Sequence, residues 1–152
     1  MQVVGNEPCR RVSQWENLVW LMRFYQEYRN LFYYRLASEP QKLVGRLFLT
    51  LARWLYAPMD TLYLYTPVIG AGLFIQHGFS TIITAKSIGE NCWINQQVTI
   101  GFIAGSDCPT IGDNVTITAG AKVLGGITLG DNAIVGANAV VLKNVPPNCT
   151  VV

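Results

Sequence analysis

Histidine is scarce in this chain of 152 residues: His77 is the single one. An imidazole titrates near neutrality, so His77 is the natural general base if the protein moves a proton. Gln76 beside it, and Gln96, Asp107 and Cys108 further along, are groups able to hold a polar acceptor or donate to an oxyanion. Four cysteines, Cys9, Cys92, Cys108 and Cys149, follow no metal-ligand spacing. With one imidazole in the chain they argue against a structural zinc site, and no metal is expected. They read as reduced thiols of a cytosolic protein. A nucleophilic thiolate at Cys108 needs a base or a positive charge at hand, and segment 102–110 offers neither, so a covalent route is disfavoured.

These groups must be positioned by a fold, and composition narrows the choice. Apolar residues make up 51% of the chain and charged residues only 13%, which argues against disorder and against a coiled coil. A net charge of +2 is too mild for an electrostatic nucleic-acid binder. The first nine residues hold no apolar stretch of the kind a signal peptide needs, so a cytoplasmic protein is expected. Residues 61–85 form a long uncharged run, yet Pro67, three glycines, Gln76 and His77 interrupt it, and a membrane span is the wrong reading.

Composition changes sharply near residue 60. Twelve of fourteen glycines lie after position 69, and eleven of seventeen aromatics lie before position 57. Residues 1–56 carry eight basic and four acidic groups, hence +4; the remainder carries three basic and five acidic groups, hence −2. We therefore expect a helical segment over 1–60 and a second domain over 61–152. Ser13-x-x-Glu16 and Ser38-x-x-Gln41 have capping-box spacing. Leu18, Leu21, Met22, Tyr25, Tyr28 and Phe32 form one apolar stripe after the first cap. Val44, Leu47, Phe48, Leu51, Trp54 and Leu55 form another after the second, with Pro40 in its first turn and Pro58 at its end. Such an aromatic, basic helix pair either packs on a neighbour or rests on a membrane surface, at the inner face of the bilayer.

The second part repeats. Ile111, Ile117, Val123, Leu129, Val135 and Val141 stand six apart, as do Ile82, Ile88, Ile94 and Ile100; Ile69 and Ile75 precede them one residue out of phase. Glycine follows the aliphatic in six of these twelve hexads. A period of six is neither helical nor that of an amphipathic strand. It is that of a parallel β-helix of hexapeptide repeats, where each hexad gives one short strand and a turn. Three hexads per coil make about four coils from twelve hexads. One interval, from Ile100 to Ile111, is longer, which puts an extruded loop at 102–110.

Stacking the register places the third residues of every third hexad in one column: His77, Gln96, Ala119 and Ala137. At about 4.8 Å per coil, Ala137 lies about 14 Å from His77, a span that an extended thioester arm covers. The two alanines leave room for such an arm, and Lys122 and Lys143 are candidates for its phosphates.

At this point a family is recognisable. The segments at 72–78 (GLFIQHG), 94–101 (INQQVTIG), 111–115 (IGDNV), 119–125 (AGAKVLG) and 140–147 (VVLKNVPP) resemble the serine acetyltransferase branch of the hexapeptide acyltransferases, which includes capsular and exopolysaccharide O-acetyltransferases. The stretch at 29–35 resembles the helical lead-in of the polysaccharide-type members. The resemblance implies a left-handed β-helix, a homotrimer, and acetyl-CoA bound between neighbouring subunits as acetyl donor. It implies that His77 deprotonates an acceptor hydroxyl and that Ala119 and Ala137 flank the coenzyme. Departures exist as well. Serine-specific members carry an Asp where Gln76 stands and a second histidine where Cys108 stands, and Asp60 is out of register for the acidic partner of the base. The resemblance also implies a segment past Val152 that folds over the coenzyme, so a shortened chain or a weaker hold on the coenzyme is expected. Together these features predict an acetyl-CoA-dependent O-acetyltransferase, with a sugar of surface-polysaccharide synthesis as first acceptor and L-serine as the alternative. A non-catalytic β-helix scaffold is the rival class.

Overall fold

The structure, a computed structural model, describes residues 13–38, 43–103, 105 and 107–152. Its body is a parallel β-helix with three sides. One side stacks Leu62–Leu64, Thr81–Ile83, Thr99–Gly101, Lys122–Leu124 and Val140–Val141. The second stacks Ser87–Ile88, Thr110–Ile111 and Thr128–Leu129, extended by single bridges from Ile69 to Ile88 and from Leu129 to Val145. The third stacks Phe74–Ile75, Trp93–Ile94, Thr116–Ile117, Ile134–Val135 and Thr150–Val151. Two sides of five strands make about five turns, one more than the hexad count gave. The count ran from Ile69 to Val141 and so missed Val145 and Thr150–Val151 at one end and Leu62–Leu64 at the other, which buries Leu62 and Leu64 around an exposed Tyr63 without a hexad glycine.

The core is a set of aliphatic ladders. Ile75, Ile94, Ile117, Val135 and Val151 pair in register along one side, and Leu64, Ile83, Ile100, Val123 and Val141 along another. The expected core position Ile82 is corrected to Ile83: Ile82 is 41% exposed and Ile83 is fully buried. The reason lies at one corner. The path from Ile75 to Ile83 takes two residues more than a hexad, and the path from Ile83 to Ile88 takes one fewer, which together produce the phase slip seen in the sequence.

Another corner explains the recurrent Gly-Asp-Asn. Asn91, Asn114, Asn132 and Asn148 all have φ between 55° and 59°, in the left-handed region that Asn tolerates better than other side chains. Each donates its backbone N–H to a carbonyl one turn below. The glycine before is needed for space: a methyl on Gly89 would stand 2.2 Å from Asp113 Oδ1 and 2.6 Å from the Gly112 carbonyl carbon. That carboxylate is fixed where it is because it accepts the Glu90 N–H at 2.7 Å.

Three helices precede the β-helix: α1 (Gln14–Phe24), α2 (Gln26–Ser38) and α3 (Leu43–Leu55). The Ser13–Glu16 capping box forms in full. The single stripe expected from Leu18 to Phe32 is divided, because Tyr25 takes φ −117° and ψ 105° and turns the chain between α1 and α2. Ser38 ends α2 and donates its hydroxyl to the Tyr34 carbonyl. The remainder of the second expected cap, Pro40 and Gln41, lies outside the described residues.

Polar side chains stitch α2 to the first turn. Asn30 donates to the Met59 carbonyl at 2.7 Å and accepts the Met59 N–H at 2.7 Å. Tyr34 donates to the Thr66 carbonyl, and Arg35 to the Gly70 carbonyl. Tyr33, 2% exposed, donates its hydroxyl toward the Ala52 and Tyr56 carbonyls and so ties α2 to α3. Burial pushes the Tyr33 and Tyr34 phenols up from their ordinary value. The 29–35 stretch singled out in the sequence is thus the seam between helices and β-helix.

Candidate active site

His77 sits on the widened corner between Phe74–Ile75 and Thr81–Ile83. It is exposed, with φ 58°, and its carbonyl accepts the Phe79 N–H in a tight turn. The two extra residues lift this corner out of the regular stack. In the turns above, Gly120 donates to the Gln96 carbonyl at 3.0 Å and Asn138 to the Ala119 carbonyl at 2.9 Å, so Gln96, Ala119 and Ala137 stack in one column. Gln97, by contrast, donates to Phe79 rather than to His77. The expected column therefore stands for three members, and His77 is displaced from its head by the bulge.

The amides near the base have distinct roles. Gln76 Oε1 accepts from Trp93 Nε1 at 3.2 Å and from Asn95 Nδ2 at 3.3 Å, so it is held as a neutral wall. Gln96 Oε1 is buried without a hydrogen-bond partner among the described residues. Leaving such an atom unpaired costs about 1–3 kcal/mol. Its side chain keeps unspent hydrogen-bonding capacity at the foot of the Ala119–Ala137 column. Lys122 Nζ donates to the Gln97 carbonyl at 2.6 Å, which braces this corner. Ala119 is half-buried and Ala137 exposed, so both sit at an open surface.

The remaining predicted residues lie on a different edge. The chain leaves the stack after Thr99–Gly101 and rejoins it at Thr110–Ile111, and the described residues Ile103 and Asp107 lie against the corner of the next turn. A methyl on Gly126 would stand 3.0 Å from Asp107 Cβ, and one on Gly125 would stand 3.5 Å from Ile103 Cδ1. Asp107 is exposed and Cys108 half-buried, and the exposed Lys143 follows Val140–Val141 at the same edge. Within one chain Asp107, Cys108 and Lys143 are not brought to His77, Gln96, Ala119 and Ala137: the two sets occupy neighbouring edges of the prism.

Sequence reasoning missed Glu27. This half-buried residue in the first turn of α2 makes no hydrogen bond or ion pair among the described residues. A methyl on Gly78 would stand 3.1 Å from its Cγ, so its stem packs against the residue that follows His77. Only the tertiary fold brings α2 there; no spacing in the chain signals it. Glu27 also borders a groove of about 320 Å³ lined by Trp20, Tyr25, Tyr28, Leu31 and Phe74. Among the cysteines, Cys92 is removed from chemistry: burial pushes its thiol up from the ordinary value, and it donates to the Gly112 carbonyl. No cluster of three or more His, Cys, Asp or Glu able to hold a metal occurs among the described residues.

The three-sided β-helix of six-residue repeats, with one imidazole on a bulged corner, is similar to the hexapeptide-repeat transferases. The family model described as bacterial transferase hexapeptide (six repeats) matches residues 108–143. The relatives and solved structures that the chain is similar to include serine acetyltransferases. The enzyme of Synechococcus elongatus is 47% identical over 88 residues, 55% of this chain and 36% of that one. That of Staphylococcus xylosus is 51% identical over 88 residues, 55% of this chain and 41% of its own. Among solved structures, the Neisseria gonorrhoeae serine acetyltransferase in complex with serine superposes with a TM-score of 0.65 at 25% identity, over 97% of this chain and 60% of that one. Serine acetyltransferase 1 of Entamoeba histolytica superposes at 0.68 with 29% identity, over 96% and 57%. The chain spans 36–41% of the length of these two curated relatives.

Proposed function

We propose that this protein transfers an acetyl group from acetyl-CoA to a hydroxyl, with His77 as general base and L-serine as acceptor. The observation that carries the reading is the lone imidazole on a bulged corner beside the Gln96–Ala119–Ala137 column, in a chain whose relatives are serine acetyltransferases. His77 takes the hydroxyl proton as the oxygen attacks the thioester carbonyl. The side-chain amide of Gln96, turned by half a rotation, offers its N–H groups to the developing oxyanion. The coenzyme thiolate then leaves and recovers the proton from the imidazolium. Ala119 and Ala137 flank the pantetheine arm, and Lys122 and Lys143 meet its phosphates. Glu27 supplies the carboxylate for the serine ammonium that Gln76 cannot.

The split of site residues over two edges favours a homotrimer. The His77 edge of one copy set against the 102–110 edge of the next joins Asp107 and Cys108 to the base, which neither edge does alone.

A second reading keeps the chemistry and replaces serine by a sugar hydroxyl. Gln76, a neutral amide locked by Trp93 and Asn95, and the aromatic groove beside Glu27 both suit a pyranose better than an amino acid. An acceptor screen decides. Coenzyme release from acetyl-CoA that depends on L-serine upholds the first reading, and release that depends only on sugars upholds the second. Release with neither, together with no acetyl-CoA binding, leaves a scaffold.

A further inference from the structure

Helix α3 is turned inside out. Leu43, Val44, Leu47, Phe48, Leu51, Trp54 and Leu55 fall within an arc of about 140° at 100° per residue, a normal apolar stripe. Yet all seven are exposed, from 56% at Leu51 to 79% at Trp54, and no residue of α3 is fully buried. The side that meets the protein is the weakly apolar one, with Gly45, Leu49 and Ala52 half-buried. The exposed Trp15, Val19 and Phe24 of α1 add further apolar surface in the same helical segment. A folded protein does not leave seven large apolar side chains of one helix in water without an occupant for them.

Charge indicates which occupant. Between Leu43 and Leu55 the only ionic side chains are Arg46 and Arg53, both outside the stripe, with the Arg53 guanidinium lying over the Tyr33 ring and Arg46 exposed; no acidic residue occurs in the helix. Arg23 closes α1, and residues 1–56 carry a net charge of +4. A second copy seated face to face would bring no acidic side chain of its own α3 to meet Arg46. An anionic lipid surface instead receives the stripe in its acyl boundary and the exposed Arg46 guanidinium among its phosphates. Tryptophan and phenylalanine within the stripe suit that boundary. No helix among the described residues is long and apolar enough to cross a membrane, so the contact is with the surface.

We propose that the outer face of α3, supplemented by α1, docks this protein on an anionic lipid bilayer. The proposal is independent of the acetyl-transfer reading. The test is co-sedimentation of the full chain with vesicles of phosphatidylcholine alone and with vesicles containing one third phosphatidylglycerol. Binding at least tenfold tighter to the anionic vesicles, weakened at least tenfold by Leu47→Glu with Phe48→Glu, is the expected result. Arg46→Glu, which leaves the stripe intact, should weaken binding several-fold, and so should 0.5 M salt. An unchanged thermal midpoint shows that each variant is folded; if the double variant melts early, Arg46→Glu and the salt series decide alone. Absence of binding to anionic vesicles overturns the proposal, as does equal binding to both compositions. So does an assembly larger than a trimer that the double variant dissolves without any vesicle binding, because the face is then covered by another copy.

Discussion

The β-helix and the helical segment are both rich in apolar residues, yet they use them in opposite ways. In the β-helix a six-residue period sends Ile94, Ile100, Ile117, Val123 and Val135 to an interior where each is 1% exposed or less. In α3 a clean helical period sends Leu47, Phe48 and Trp54 to the outside. Periodicity alone therefore identifies an element and its apolar face, but not what that face meets. In the β-helix the ladder itself supplies the partner, because each turn covers the last. An isolated helix has no such built-in neighbour, and its outward face points beyond the chain.

The largest effect should come from the one group without a substitute. His77→Ala is expected to lower turnover by about 10²–10⁴-fold while acetyl-CoA binding stays nearly intact, since the role proposed for the imidazole is to take a proton and not to hold the coenzyme. Single-turnover rates with titrated coenzyme check both parts. Turnover near that of the wild type would remove His77 from the chemistry. The proposed trimer sharpens the same test. Mixing His77→Ala subunits with subunits lacking residues 102–108 should restore partial activity, because a hybrid interface pairs an intact base with an intact loop. No recovery in a verified trimer means that each site is built within one chain.

The contrast between interior and exterior stripes can be broken directly. Ile100→Ala removes a fully buried side chain from the middle of a ladder and should cost about 2–5 kcal/mol. Leu47→Ala, chemically the same kind of truncation at a site 63% exposed, should change stability by no more than about 0.5 kcal/mol. Denaturant melts of the two variants give both numbers. Equal losses would mean that α3 is covered in solution, and the comparison would fail.

A milder loss is expected at the coenzyme edge. Ala137 is exposed at the top of its column, so Ala137→Trp should leave the thermal midpoint unchanged while weakening acetyl-CoA binding several-fold. Calorimetric titration measures this, and unchanged affinity would take the column out of the coenzyme path.

Much of the fold was legible because the hexad couples sequence to geometry so tightly. Ile111 through Val141 at steps of six predicted the stacked sides and the register from Ile75 to Val135. The failures have local causes. Leu62–Leu64 escaped because a first turn has no turn below it and carries no hexad glycine. Ile82 was preferred to Ile83 because a two-residue bulge and a one-residue deletion nearly cancel, and no composition signal separates them. The break at Tyr25 escaped because no Gly or Pro marks it. For the candidate site, His77 stands out by scarcity and Ala119 and Ala137 by register. Glu27 reaches the Gly78 corner only through the packing of α2, which no one-dimensional pattern encodes.

The smallest effect concerns the thiols, where burial separates two cysteines of the same β-helix. Cys149 is exposed near the last turn, whereas Cys92 is 1% exposed and burial raises its thiol above the ordinary value. A thiolate is the reactive form, so Cys92 is doubly protected, by access and by protonation. In single-cysteine variants with the other three replaced by serine, Cys149 should react with an aromatic disulfide reagent within minutes at pH 8. Cys92 should remain silent until the chain is unfolded. The sign of the accompanying pH effect follows from linkage. Because the folded value lies above the unfolded one, the stability that this thiol contributes is complete below the unfolded value, near 9, and is lost as pH rises through the folded one. Burial acts the same way on the Tyr33 and Tyr34 phenols, starting from 10. Thermal midpoints should therefore fall between pH 8 and pH 11, and slightly less so in Cys92→Ala. Rapid labelling of Cys92 at pH 8 in the folded protein would mean that the β-helix opens locally at this turn, and that its ladders are far less uniform than those at Ile100.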